Sequence, residues 1–405
     1  GRTSYNAQWK FAFEVNVNAT LTLRGATISY AGYSDSNPGL YIYASDVYIE
    51  DSNFLLNYVG ITFQDVENIT IVNSTFISNW DALKAMNTKS LRVYNSTFEG
   101  GQKGIYVDNC LNSLFSGNSF ESVAYSAIYI GGGHHISASN NEMVACGFGI
   151  FMANPDNVSI TDNDFIENYE NGIYGTQGSD VLIKQNYLSS NNKEGIYLDS
   201  CINVTIQKNK LLDDGIWIFG DKDVYESLTV TSDNLVNGYP VLYLFEESYK
   251  TLQFVLRYGE IILAYSDSVY LNKTHVDSLI IIKSSNITAY GVVSRGESEC
   301  GLYATDSSNI KVVNYEGSKL EYGVFIENSV NLTLSNIKIS NASIRAIALY
   351  QVENVVISGC DISYSEYAIF ITYSSNIKVL NNNLYKNYCG IRLEVGVETI
   401  QLYMN

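Results

Sequence analysis

Hydrophobic and polar residues alternate with a period of two through most of this chain, in runs of three to six residues. In Ile105-Tyr106-Val107, Ile196-Tyr197-Leu198 and Val204-Thr205-Ile206 the aliphatic members fall on one side and the polar or aromatic members on the other, as in a half-buried strand. No 3.6-residue periodicity persists. The runs recur in phase about every 19 to 26 residues, mostly 21 to 23, as a unit of the form G-I-Y-ϕ…N-ϕ-T-I…N-x-F. The first inward position is aliphatic in nearly every unit: Leu40, Ile61, Ile105, Ile128, Ile150, Ile173, Ile196, Ile216, Leu242, Ile261, Ile281, Leu302, Val324, Ile347, Ile369 and Ile391. A column of like residues at constant phase means that the units stack and that the column becomes the core.

A lone unit cannot stand. Its few apolar side chains contribute roughly 1.5–3 kcal/mol each, while ordering its backbone costs at least about 1 kcal/mol per residue. Neighbouring units must supply the hydrogen bonds and cover the open faces. The pattern therefore predicts an all-β, single-stranded right-handed parallel β-helix, a solenoid of about 17 turns, with its hand set by the preference of parallel crossovers. The expected organisation is one continuous domain. Residues 1–36 form an N-terminal cap or first turn, with Phe11, Phe13, Val15 and Val17 alternating. Residues 37–212 are regular turns, 213–290 irregular turns with protruding loops, and 291–405 regular turns ending uncapped.

Two columns of asparagine mark the corners. One contains Asn68, Asn112, Asn157, Asn203, Asn309, Asn331, Asn354 and Asn376; the other contains Asn53, Asn73, Asn95, Asn118, Asn141, Asn163, Asn186, Asn209 and Asn382. Asparagine tolerates the left-handed backbone of sharp corners, and stacked amides hydrogen-bond from turn to turn. Several ladder positions open N-x-S/T sequons. An inward amide cannot carry a glycan, so the expected acceptors lie off the ladders: Asn18, Asn272, Asn286 and Asn341.

These residues resemble the right-handed parallel β-helix superfamily, the pectin-lyase-like fold, and the N-ϕ-T-I…N-x-F-x-x-N pattern is similar to repeats of its NosD-like branch. The stretch Asn234-Leu-Val-Asn-Gly-Tyr-Pro-Val-Leu-Tyr243, followed by Gly259-Glu-Ile-Ile-Leu-Ala264, is similar to an irregular segment of archaeal surface members. The resemblance covers roughly residues 37–405. It implies the fold; for function it implies a range running from polysaccharide lyases, glycosidases and epimerases to surface and adhesive proteins without catalysis.

Charge narrows the partners. With 42 acidic and 24 basic residues the formal net charge is −18, which argues against nucleic acid or an anionic membrane surface. No apolar run reaches the roughly 18 residues of a membrane span, and Gly1-Arg2-Thr3-Ser4-Tyr5 carries no signal-peptide core. The six cysteines are spread through the repeat frame without a pair sharing turn and position, so they read as small hydrophobes.

Candidate chemistry is sparse. The outward position after the first core residue carries an aromatic stripe, Tyr41, Tyr106, Tyr129, Phe151, Tyr174, Tyr197, Trp217, Tyr243, Tyr303, Phe325 and Phe370. It suits glycan contact, assembly, or cross-strand packing. Glycoside hydrolysis needs two carboxylates about 5–9.5 Å apart. Asp108 and Asp199 lie four turns apart, whereas Asp306 and Glu327, one turn apart beside Tyr303 and Phe325, are the best enzyme-like pair. The carboxylate-rich signatures of the superfamily's glycosidases and the Asp cluster with an Arg base of its lyases are missing. His134, His135 and Asp156 are the candidate metal ligands, and Ca²⁺ is the cofactor that the acid pattern leaves open, with none required. The sequence thus points to a non-enzymatic extracellular structural or surface protein of an envelope, filament or adhesin. Its partners would be copies of itself or other envelope proteins. The alternative is a carbohydrate-active enzyme or glycan-binding protein using the aromatic face on polysaccharide.

Overall fold

The computed structural model describes residues 11–34, 38–253, 257–295 and 299–403; Trp9, the first five residues and part of the expected cap segment lie outside them. Regular structure is almost entirely short strands. The chain divides into two compact units, Gly1–Thr229 and Val230–Asn405.

In the first unit each coil lays one strand on each of three parallel sheets. The first sheet has ten strands, from Phe13–Val15 to Ile216–Phe219, and the second also has ten, beginning at Thr22–Arg24. The third runs from Thr27–Ser29 to Lys210–Leu212. The expected aliphatic column is in register from strand to strand, with Ile105, Ile128, Ile150, Ile173, Ile196 and Ile216 stacked and fully buried. Inside the third sheet, Phe54, Phe76, Phe98 and Phe120 form a second column with ring centroids 4.8, 4.8 and 4.7 Å apart. The glycine that opens many repeat units faces these rings. A Cβ on Gly104 would meet the Phe120 ring at 2.7 Å, and one on Gly149 the Phe165 ring at 2.4 Å.

Val15 is buried, but Phe11, Phe13 and Val17 are exposed. Phe13 pairs with Leu40 above it, and among the described residues no coil covers its other side.

The corners hold polar side chains of two kinds. The buried kind forms the column Ser52, Ser74, Ser96, Asn118, Asn141, Asn163, Asn186 and Asn209. In it each Asn donates its backbone N–H and its Nδ2 to the Oδ1 of the next, as Asn118 does to Asn141 at 3.0 and 2.9 Å. Asn53, Asn73 and Asn95 do not belong to this column: Asn53 follows Ser52, and Asn73 and Asn95 each precede a serine, at exposed left-handed corners with φ 49° and 48°. The ladder containing Asn68, Asn112, Asn157, Asn203 and Asn331 is exposed as well, so those sequons are not hidden as the sequence reading supposed. Asn286 is itself a ladder member, accepting from Asn309 at 3.0 Å. Asn18 and Asn341 are exposed, and Asn272 is half-buried.

A further buried column, unseen in the sequence, runs through Asn168 and Asn191 to Asp214. Asn191 donates to both carboxylate oxygens of Asp214, at 3.1 Å from its N–H and 2.7 Å from Nδ2. Burial pushes the Asp214 carboxyl up to about 8, against the lowering effect of those hydrogen bonds. A raised folded-state pKa means that stability is full below pH ~4 and declines as pH rises to ~8. Asp214→Asn continues the amide ladder without the charge. Thermal denaturation should show a gain of several kcal/mol at pH 8 and little at pH 4; an equal shift at both would show that the carboxyl is not titrating there.

The second unit repeats the plan with more irregularity. Its first sheet runs from Tyr239–Phe245 to Cys389–Leu393, and its second has eight strands. The strands Arg257–Ala264 and His275–Ile282 run eight residues each, continuing straight where other coils turn. This shortens the coil: Ile261 pairs with Leu279, not with Ile281 as the repeat length suggested. Ile281 still points inward beside Leu263 because the error is two residues, an even number. The Arg257–Asp277 ion pair, 2.8 Å, anchors this segment, and Asn237 of the preceding turn donates to the same carboxylate at 3.0 Å. The helix Lys222–Ser227, at the end of the first unit, was not foreseen; it buries Val224 and Tyr225, whose hydroxyl donates to the Ile218 carbonyl at 2.7 Å. The cysteines are free, and all but the half-buried Cys389 are buried.

Candidate functional site

The parallel register of the first sheet places its outward aromatics directly above one another. In the first unit Tyr106, Tyr129, Phe151, Tyr174 and Tyr197 form a continuous stack, with centroid spacings of 4.9, 5.1, 4.9 and 5.1 Å. The strand spacing of about 4.8 Å sets that interval. Interplanar angles of 5° to 18° make the rings a ribbed wall. Trp217 pairs in register with Tyr197, but the ring that meets Tyr197 at 5.8 Å is that of Phe219. Tyr125 and Phe148 brace the wall from one side, 5.9 and 5.2 Å from Phe151. On the other side the next outward row is small, with Gly131, Ala153 and Thr176 lying in register between Asp108 and Asp199. The five stacked rings are half-buried, with their faces against one another. Burial raises the phenols of Tyr129 and Tyr174 above their ordinary value and pushes Tyr197 up to about 12. All three therefore remain neutral hydroxyls near pH 7, able both to donate and to accept.

At the N-terminal end of the wall lies a pocket of about 530 Å³ lined by Tyr58, Trp80, Asp81, Lys84, Gln102, Lys103, Tyr106, Tyr125 and Tyr129. The rings of Tyr58 and Trp80 stack 6.2 Å apart at 7°, and Trp80 is 48% exposed. The sequence reading missed Tyr58, Trp80 and Tyr125 because it followed the outward column of the strand alone. Tyr58, Trp80, Gln102 and Tyr125 occupy one corner column in successive coils, and the same spacing search applied to that column would have found them.

Of the other predicted candidates, Tyr303 meets Phe325, their ring centroids 5.6 Å apart, and His134 meets Asp156. In the second unit the outward column reads Tyr243, Ile262, Ile280, Tyr303, Phe325, Ala348 and Phe370. The stripe is therefore interrupted, and Tyr303 and Phe370 are buried. Asp306 and Glu327 lie in adjacent coils but one position out of register: Glu327 pairs with Thr305, while Asp306 sits at an exposed left-handed corner, φ 49°. Glu327 accepts a hydrogen bond from the Tyr303 hydroxyl. His134 and Asp156 do meet, Nδ1 to Oδ2 at 2.5 Å, and Ser179 donates to the other carboxylate oxygen at 2.9 Å. Ser179 first, and His134 after it, hold the Asp156 carboxyl below its ordinary value. The His135 ring stands edge-on to that of His134 at 3.9 Å. Among the described residues no group of three His, Cys, Asp or Glu side chains is placed to hold a metal ion. Among the described residues no helix is long and apolar enough to cross a membrane.

No curated protein matches the chain. Among solved structures, PfbA, a surface adhesin of Streptococcus pneumoniae, is 13% identical over 95% of this chain and 84% of its own, at a TM-score of 0.32. An alginate lyase from Paenibacillus sp. is 12% identical over 71% of this chain and 95% of its own, at 0.26. An exopolygalacturonase from Thermotoga maritima is 10% identical over 85% of each chain, at 0.27. Likenesses this distant carry no function across. The family model described as a right-handed beta helix region matches residues 7–122, 85–235 and 267–404. With its parallel three-strand coils and in-register core columns, the chain belongs to the right-handed β-helix family.

Proposed function

We propose that this protein is a glycan-binding protein of the cell surface, holding polysaccharide along the first sheet of its first unit without cleaving it. The observation that carries the reading is the unbroken, half-exposed aromatic wall from Tyr106 to Tyr197. The ring edges that the stack leaves uncovered can pack on the apolar C–H surfaces of sugars, and the tyrosine hydroxyls can answer the sugar's own. A wall built over five coils suits a polymer better than a single small molecule. Supporting a role in holding rather than cutting, Asp108 and Asp199 are separated by four strand steps, about 19 Å at 4.8 Å each, well beyond the spacing of a glycosidase pair. The exposed sequons at Asn18, Asn73, Asn95 and Asn341 support an extracellular setting. Partners there would be further copies of the chain or other envelope proteins.

The test is retardation of the protein in gels containing a panel of polysaccharides, alongside assay for reducing and unsaturated sugar ends. At least one polymer should bind, with no new ends released. Tyr129→Ala with Tyr174→Ala should weaken that binding at least about tenfold, or ~1.4 kcal/mol, with the fold unchanged by circular dichroism. Turnover of a bound polymer, or binding untouched by the double variant, would overturn the reading.

A further inference from the structure

We infer that the pocket at the N-terminal end of the wall is an anion subsite, where Lys103 takes the carboxylate or sulfate of an acidic sugar. This rests on the glycan-binding reading above and adds the charge of the glycan to it.

The Lys103 ammonium stands among three tyrosine rings, 4.5 Å from the centroid of Tyr106, 5.0 Å from Tyr129 and 5.6 Å from Tyr125. Acids outnumber bases 42 to 24 in this chain, yet among the described residues Lys103 makes no ion pair. Ring faces hold a cation in place without neutralising it, so the ammonium keeps its charge and its donors. Lys84 approaches Tyr106 as well, at 5.6 Å. Asp81, the carboxylate in the pocket lining, is buried. A sugar packed on Tyr129, the second ring of the wall, brings its substituents to the rim of this pocket.

The second unit builds the same device independently. Arg345 stands two residues before its inward aliphatic, Ile347, as Lys103 stands before Ile105. Its guanidinium lies 3.7 Å over Phe370 and 5.9 Å from Tyr322, and its Nε is buried without a hydrogen-bond partner. Two cations at one coil position, each held by rings and neither paired with an acid among the described residues, are unexpected in a polyanion unless an external anion completes them.

The experiment uses matched polymers at about 0.1 M salt: polygalacturonate against its carboxyl-reduced form, and dextran sulfate against dextran. The wild-type chain should bind at least one acidic member about tenfold more tightly than its neutral counterpart, and which pair shows the preference identifies carboxylate or sulfate as the anion. Lys103→Met should bring the two members of that pair within about threefold, while Lys103→Arg should retain the preference. Equal wild-type binding of acidic and neutral members overturns the subsite but leaves the glycan face standing. Binding of no polysaccharide overturns both. Because the wild-type ratio decides the first point, instability of a variant does not shelter the inference.

Discussion

Asn163→Leu should destabilise the first unit by about 4 kcal/mol, despite replacing a buried polar group with an apolar one of similar size. Asn163 Nδ2 donates to the Ala138 carbonyl at 3.0 Å and to Asn186 Oδ1 at 3.1 Å, and its Oδ1 accepts from the N–H and Nδ2 of Asn141, both at 2.9 Å. Leucine leaves those two donors and the Ala138 carbonyl unsatisfied inside the stack. Each orphaned buried group costs about 1–3 kcal/mol, and the gain from the apolar side chain is roughly 2 kcal/mol at most. Relaxation of the corner recovers part of the loss. Denaturant titration would measure it, and hydrogen exchange at Asn141 would localise it. Asn157→Gly is the matched control. That residue is exposed with φ 52°, a conformation glycine adopts freely, and its loss should stay within about 0.5 kcal/mol. If the two variants behave alike, the buried ladder is not what holds the corner.

Phe98→Ala should cost about 3–5 kcal/mol, the usual range for emptying a packed aromatic site. Phe98 is fully buried, with Phe76 at 4.8 Å on one side and Phe120 at 4.7 Å on the other. Collapse cannot refill the gap, because both neighbours are fixed by strands in register. Phe98→Leu retains much of the volume and should cost about 1 kcal/mol. Stability contributions in a stack pass mainly between neighbouring coils, so protection against hydrogen exchange should fall first in the coils carrying Phe76 and Phe120. A uniform loss across the unit would show that it unfolds as one block and that the coils are not semi-independent.

The columns that define the coil were readable from the sequence because burial leaves a mark at every repeat. Ile105, Ile128 and Ile150 had to be aliphatic wherever the stack placed them, and a period-two alternation states which side they occupy. The corner residues are harder. Asn73 and Asn118 both stand near the end of a second-sheet strand, yet one faces water and the other closes a buried ladder, because Ser74 and Asn118 share the inward position and Gly117 takes the outward one. Asparagine serves both places, once for left-handed backbone and once for hydrogen bonding, so composition cannot separate them. The site shows the same division. The wall from Tyr106 to Tyr197 was legible as a column; the pocket that ends it was not, since Trp80 and Lys103 reach it from a different corner and strand position.

By itself the sequence determined the plan of the coils: two or three short strands each, an aliphatic interior and, over the run from Tyr106 to Tyr197, an aromatic outward row, consequences of a repeat that no isolated turn could satisfy. The tertiary structure decided which side chains become neighbours between coils. That depends on coil length: a difference of one residue at a corner takes Asp306 out of register with Glu327, while a coil shortened through the straight strands Arg257–Ala264 and His275–Ile282 sets Leu279 rather than Ile281 on Ile261. Periodicity is a property of one dimension; contact between coils accumulates every insertion and deletion along the way.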